Sequence, residues 1–166
     1  CIQACADDQL VAYHAIHNLI RAGIGVVTTR WIQVGFGRTS STSASQATAR
    51  NLMGFKDGTR NVKAEDPELL ENWVWADGTG DTSWMAGGSY LVARKIQIFA
   101  ETWDHESLRG QQEIFGRVKD SGAPLGAASE FAPPDLDATD ASGEPIIAAD
   151  AHIRRASPQH NGGVHL

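Results

Sequence analysis

A chain of 166 residues with a formal net charge of −6 is long enough for one domain with a sizeable core. Its Lys and Arg are dispersed, which excludes the electrostatic footprint of a nucleic-acid binder, so no nucleic-acid partner is expected. No apolar run approaches the roughly 20 residues that cross a bilayer, and no basic stretch leads into an apolar one as in an export signal, so a soluble chain with no transmembrane segment is expected.

The chain opens on Cys1-Ile2-Gln3-Ala4-Cys5-Ala6, which reads as a strand with no lead-in and gives the chain the look of an excised fragment. Cys1 and Cys5 fall on one face of that strand, about 3.3 Å of rise per residue apart over four residues, beyond the ~7 Å Cα limit of a disulfide. Both read as buried structural thiols. Asp7 or Asp8 can cap a helix whose apolar Val11, Ala12, Ala15, Ile16, Leu19 and Ile20 recur at helical spacing and which Gly23 ends. β-branched Val26, Val27, Thr28, Thr29 and Ile32 favour a strand over residues 25–34, which makes residues 1–37 a strand-helix-strand unit.

Residues 38–50, rich in Ser, Thr and Ala without a period, read as a connection into Gly54-Phe55-Lys56-Asp57-Gly58-Thr59-Arg60-Asn61. That motif therefore stands on an irregular segment, where ligand-binding backbone is common. Residues 62–88 hold Trp73, Trp75 and Trp84 among Gly and Asp and read as short strands or turns. Residues 90–100 are the clearest strand, and Ser107 can cap a helix over 108–116 with Leu108, Ile114 and Phe115 on one side. From 119 to 149 the chain turns acidic, carries Pro124, Pro133, Pro134 and Pro145, and reads as a surface excursion before His152. Strand-helix units joined by non-helical segments predict an α+β sandwich with a mostly antiparallel sheet.

A carboxylate preceding a glycine, in a turn that another glycine opens, can approach a flat ligand closely, because neither glycine carries a Cβ. On turn grammar alone Asp57 equally makes an Asx-type turn with Gly58 and Thr59. His152, in Asp150-Ala151-His152-Ile153-Arg154-Arg155-Ala156-Ser157-Pro158, can offer a neutral imidazole nitrogen to a metal, or can be an ordinary hydrogen-bonded histidine. His14, His17, His160 and His165 lack the accompanying Cys or carboxylate pattern of a zinc site. Trp73, Trp75, Trp84, Trp103 and Tyr90 read as core packing, with a relay of oxidising equivalents as the alternative.

Together with residues 30–38 and 115–125, these two strings resemble the dye-decolorising peroxidases, a family of haem enzymes, and the resemblance spans nearly the whole chain. It implies a pair of ferredoxin-like domains forming a dimeric α+β barrel-type fold, with residues 1–50 ending the first domain and connecting to the second, and 51–166 opening the haem-binding one. It implies one haem b per intact parent, His152 as proximal iron ligand and Asp57 as distal acid/base, moving the proton that peroxide cleavage needs. Gly58, Thr59 and Arg60 would lie along the haem beside Asp57, and Ser157, Pro158 and Gln159 would approach it after His152. Where family members often have Asn-Pro-Arg this chain has Ser157-Pro158-Gln159, so Arg60, Arg154 or Arg155 would have to stand in at a propionate. The family's distal arginine would fall beyond Leu166, which predicts an impaired peroxidase for the chain alone.

The implied partners are hydrogen peroxide and a bulky organic reductant such as a dye or phenol, with homo-oligomerisation left open. Two alternatives stay alongside: a haem iron-release role in iron uptake, since residues 38–50 resemble the exported branch of the family, and a non-catalytic ferredoxin-like binding module. Export is an expectation of that resemblance alone.

Overall fold

Asp8 starts the first helix, α1 (Gln9–Ala22), by accepting from the Leu10 amide at 2.7 Å, and the Gly23 amide closes it on the carbonyls of Leu19 and Ile20. A Cβ at Gly23 would lie 2.5 Å from Val27 Cγ2, so the chain can turn back this tightly only at glycine. The computed structural model describes residues 1–37 and 41–157, and they fall into two compact units, Cys1–Thr39 and Ser40–Leu166. In the first unit Ala12, Ile16 and Ile20 form a half-buried ridge four residues apart, while Val11 and Leu19 stay exposed.

The strands expected at 1–6 and 25–34 are not formed among the described residues, and the same holds for 90–100, whose last residue opens a helix instead. Side-chain preference favours extended backbone, but a strand exists only where a neighbour takes its N–H and C=O groups. Only isolated antiparallel bridges occur among the described residues: Arg50 with Lys56, Arg117 with Pro124, Thr139 with Pro145. Cys1 and Cys5, expected to be buried, are exposed free thiols.

In the second unit Asp66 caps α2 (Pro67–Trp73), accepting from the Leu69 amide at 3.1 Å, with Pro67 in the first turn where its missing N–H costs nothing. A helix thus occupies part of the region read as strands or turns. A 3-10 helix (Gly80–Met85) follows, then α3 (Ala100–Asp104) and α4 (Leu108–Phe115). The expected Ser107 cap of α4 is present, its hydroxyl accepting from the Gly110 amide at 3.0 Å. Gly116 ends the helix at φ 79°, and a Cβ there would lie 2.7 Å from Ile153 Cγ1. Gly116→Ala therefore combines left-handed strain with overpacking, and a loss of about 2–5 kcal/mol in urea unfolding is expected.

The segment 119–149 is no surface excursion. Leu136 and Ile147, with Ala151 just beyond, form the buried cluster of this unit, against which Leu125, Ala148 and Ile153 pack. Aperiodic backbone can serve as core when side chains satisfy its carbonyls and amides. Arg154 of α5 (His152–Arg155) donates to the carbonyls of Leu136, Ile147 and Ala148, and the Asp140 carboxylate accepts from the Ser142 and Glu144 amides at 2.8 and 3.1 Å.

Candidate active site around Asp57 and His152

The residues before Asp57 form a closed turn. Arg50 and Lys56 pair as an antiparallel bridge, the Asn51 amide donates to Phe55 O at 2.9 Å, and Asn51 Oδ1 accepts from the amides of Met53 and Phe55 at 3.0 and 3.1 Å. Gly54 at φ 82° makes the reversal, a conformation that costs residues with a Cβ about 1–2 kcal/mol. The Arg50 guanidinium clamps the turn to a neighbouring segment through Gly54 O at 2.8 Å, Lys119 O at 2.7 Å and Asp120 O at 2.9 Å. Past it, the Asp57 amide donates to Ala49 O at 2.8 Å and Gly58 takes φ 101°, so Asp57 stands exposed between fixed backbone and a second glycine turn.

Phe55 ties this turn to the interior. At 1% exposure it stacks on Phe115 with centroids 3.9 Å apart and planes 8° from parallel, and Trp103 meets both rings edge-on. The other side of this cluster carries His152, whose ring is T-shaped to Phe115 at 5.7 Å. Two stacked phenyl rings therefore join the Asp57 turn to the exposed first residue of α5. Thr59 is buried, Gly58 half-buried and Arg60 exposed; Ser157 is half-buried with its amide on Arg154 O at 3.2 Å. Pro158 and Gln159 lie outside the described residues.

The Dyp-type peroxidase C-terminal family model matches residues 48–166, and the N-terminal model matches residues 1–37. The chain belongs to the Dyp-type peroxidase family. It is 41% identical over 160 residues to a deferrochelatase of Yersinia pseudotuberculosis, covering 95% of this chain and 36% of that protein. Over 168 residues it is 38% identical to a dye-decolorizing peroxidase of Thermobifida fusca, 99% of this chain and 39% of that protein. A DyP-type peroxidase from Streptomyces coelicolor superposes with a TM-score of 0.82 at 39% identity, over 96% of this chain and 43% of that one. Ferric DtpA from Streptomyces lividans does so with 0.81 at 39% identity, over 96% and 43%. The chain thus has the DyP fold over the part it spans, which is about two fifths of the length of these relatives.

Two expectations about this Dyp-type chain need correction. Arg154, considered as a stand-in cation for an anionic ligand, spends its guanidinium on three main-chain carbonyls, because without it the aperiodic core segment would bury them unpaired. Trp73 and Trp84, read as core, are each 79% exposed, and Tyr90 and Trp75 are exposed as well; only Trp103 of the five aromatics packs into the cluster. Their segments, 89–99 among them, lack a partner layer among the described residues.

Sequence reasoning missed Glu130. Its carboxylate binds the Lys56 ammonium through Oε2 and accepts from the Thr59 hydroxyl at 3.1 Å through Oε1. Burial raises its carboxyl, but the Lys56 ammonium and the Thr48 and Thr59 hydroxyls outweigh that and hold it below the ordinary 4.5. Arg117, buried behind, is pushed down first by desolvation and then by the Arg60 charge. A carboxyl lowered on folding stabilises above its unfolded value and stops doing so as the pH falls through the lowered one. Urea midpoints should accordingly decline below about pH 4.5 in the native chain, with a flatter profile in Glu130→Gln.

Proposed function

We propose that this chain supplies the haem-holding part of a peroxidase that uses hydrogen peroxide to oxidise dyes or phenolic compounds, with His152 as iron ligand and Asp57 as the acid/base. The observation that carries the reading is the Phe55–Phe115 stack, which brings the His152 ring and the turn before Asp57 against one aromatic cluster. Among the described residues no three His, Cys, Asp or Glu side chains gather into a metal cage. A single imidazole suits an iron whose remaining ligands come from a porphyrin, so the donor set fits haem b. When bound, the haem supplies the redox-active iron that peroxide oxidises and the organic substrate reduces again.

The chain's own residues do the rest. His152 offers a ring nitrogen at the start of α5, with its ring edge-on to Phe115. Asp57, exposed on a fixed turn, takes a proton from one peroxide oxygen and returns it to the other. Gly58 would let the ligand's edge approach the backbone, Thr59, Arg60 and Ser157 would line it, and the contacts expected of Pro158 and Gln159 fall outside the described residues. The matches at residues 1–37 and 48–166 support a division in which 1–50 ends one ferredoxin-like domain and 51–166 opens the haem-binding one, two such domains making an α+β barrel. The bulky substrate, a homo-oligomeric parent and export belong to the same reading. No helix among the described residues is long and apolar enough to cross a membrane.

Relatives named deferrochelatase support a second reading, release of iron from haem. Product analysis separates the two: intact porphyrin without iron marks release, oxidised dye with the haem retained marks peroxidase action.

The experiment is a haem titration of the chain beside His152→Ala, followed in the Soret region. A saturable, shifted band whose midpoint rises by more than about 100-fold in the variant is expected, since even losing an outer partner of a ligand costs 10–100-fold. Equal titration by both would overturn His152 as ligand. Saturation by neither would favour a non-catalytic binding module.

A further inference from the structure

We infer that Glu130 is a positioning residue for Asp57, holding both shoulders of its loop from a segment more than seventy positions away. Lys56 immediately precedes Asp57 and Thr59 follows two residues later. One carboxylate takes both, the ammonium on Oε2 and the hydroxyl on Oε1. Asp57 is exposed and Gly58 follows it at φ 101°, and since glycine restricts the backbone least, the path past Asp57 relies on contacts at its two ends.

Glu130 can act as that tether because it is itself fixed. Its side chain is 11% exposed, and its carbonyl accepts from Arg117 Nη1 at 3.3 Å, while the same nitrogen donates to Gly122 O at 2.7 Å. Gly122 lets the two chains meet: a Cβ there would lie 2.7 Å from Lys56 Cδ and 3.3 Å from Glu130 Cγ. On the far side of the loop the Lys63 ammonium reaches Gly58 O at 3.4 Å and the buried Ser41 hydroxyl at 2.6 Å. Lys63 thus holds the Gly58 carbonyl while Glu130 holds the side chains of Lys56 and Thr59.

The consequence for peroxide chemistry rests on the function proposed above; the tether does not. Amide exchange tests the tether without haem, in Glu130→Ala and in Lys56→Met, which leaves Glu130 in place should the alanine variant unfold. Exchange at Asp57 and Thr59 should accelerate about 10–100-fold, as expected for loss of a hydrogen bond to a charged group. Exchange at the Ala151 amide, bonded to Ala148 O at 3.1 Å in the core cluster, should stay within about twofold. No acceleration at Asp57 overturns the inference, and so does parallel acceleration at Ala151, which would mark a merely structural role. In haem-loaded protein, the same variants should keep the Soret band of the parent while kcat for dye oxidation falls about tenfold. If the Asp57 amide responds and kcat does not, the tether stands and the acid/base role of Asp57 is what fails.

Discussion

Asp57→Asn in the haem-loaded protein is expected to slow peroxide-dependent dye oxidation by about 10²–10⁴-fold, the range for removing a positioned proton-transfer group. The substitution is nearly isosteric, and the backbone and Asn51 bonds that shape the turn do not use the side chain of residue 57. The amide of residue 57 still reaches Ala49 O, Asn51 still closes the preceding reversal, and Gly58 keeps its left-handed conformation. Asparagine retains hydrogen-bonding atoms and loses the ability to take up a proton at working pH. The expected signature is a collapse of kcat with the Soret band and the urea midpoint of the parent. A variant that keeps more than about a tenth of the rate would remove Asp57 from the proton path. One that loses the Soret band as well would make the aspartate part of the binding surface rather than the chemistry.

The caps were legible because they are local. Asp8 and Gly23 bound α1, and Ser107 and Gly116 bound α4, where one hydroxyl or carboxylate starts each helix and one glycine ends it, left-handed at Gly116. α2 was missed: the tryptophans and glycines of residues 62–88 suggested strands or turns, although its cap Asp66 and first residue Pro67 are equally local. Nothing local announced that 119–149 supplies the core, because its apolar residues follow no period and its backbone is satisfied by Arg154 from further along the chain. The strand expectations at 25–34 and 90–100 failed for the opposite reason: composition favoured them, but pairing is a property of two segments. At the site the glycines flanking the turn could be read, while Glu130 could not, since its contacts with Lys56 and Thr59 span 74 and 71 positions.

The second large effect lies beneath the site. Phe55→Ala should destabilise the second unit by about 3–5 kcal/mol, the range for emptying a buried aromatic position. Against a typical domain stability of about 5–15 kcal/mol, that leaves little. The ring is nearly inaccessible, faces Phe115 at 3.9 Å, meets Trp103 edge-on at 6.1 Å, and carries the Lys119 ammonium 5.4 Å above its centre, so truncation abandons all three contacts at once. Phe55→Leu separates packing from orientation: it refills most of the volume, and a cost of about 1–1.5 kcal/mol is expected in the urea midpoint. What it cannot restore is the flat face on which Phe115 stacks, and Phe115 is the ring that His152 meets edge-on. An aromatic pair contributes about 0.5–1.5 kcal/mol beyond its area, so the haem midpoint of Phe55→Leu should rise roughly two- to tenfold although the protein stays folded. A folded leucine variant that titrates haem like the parent would confine the stack to the core and detach His152 from the turn that carries Asp57.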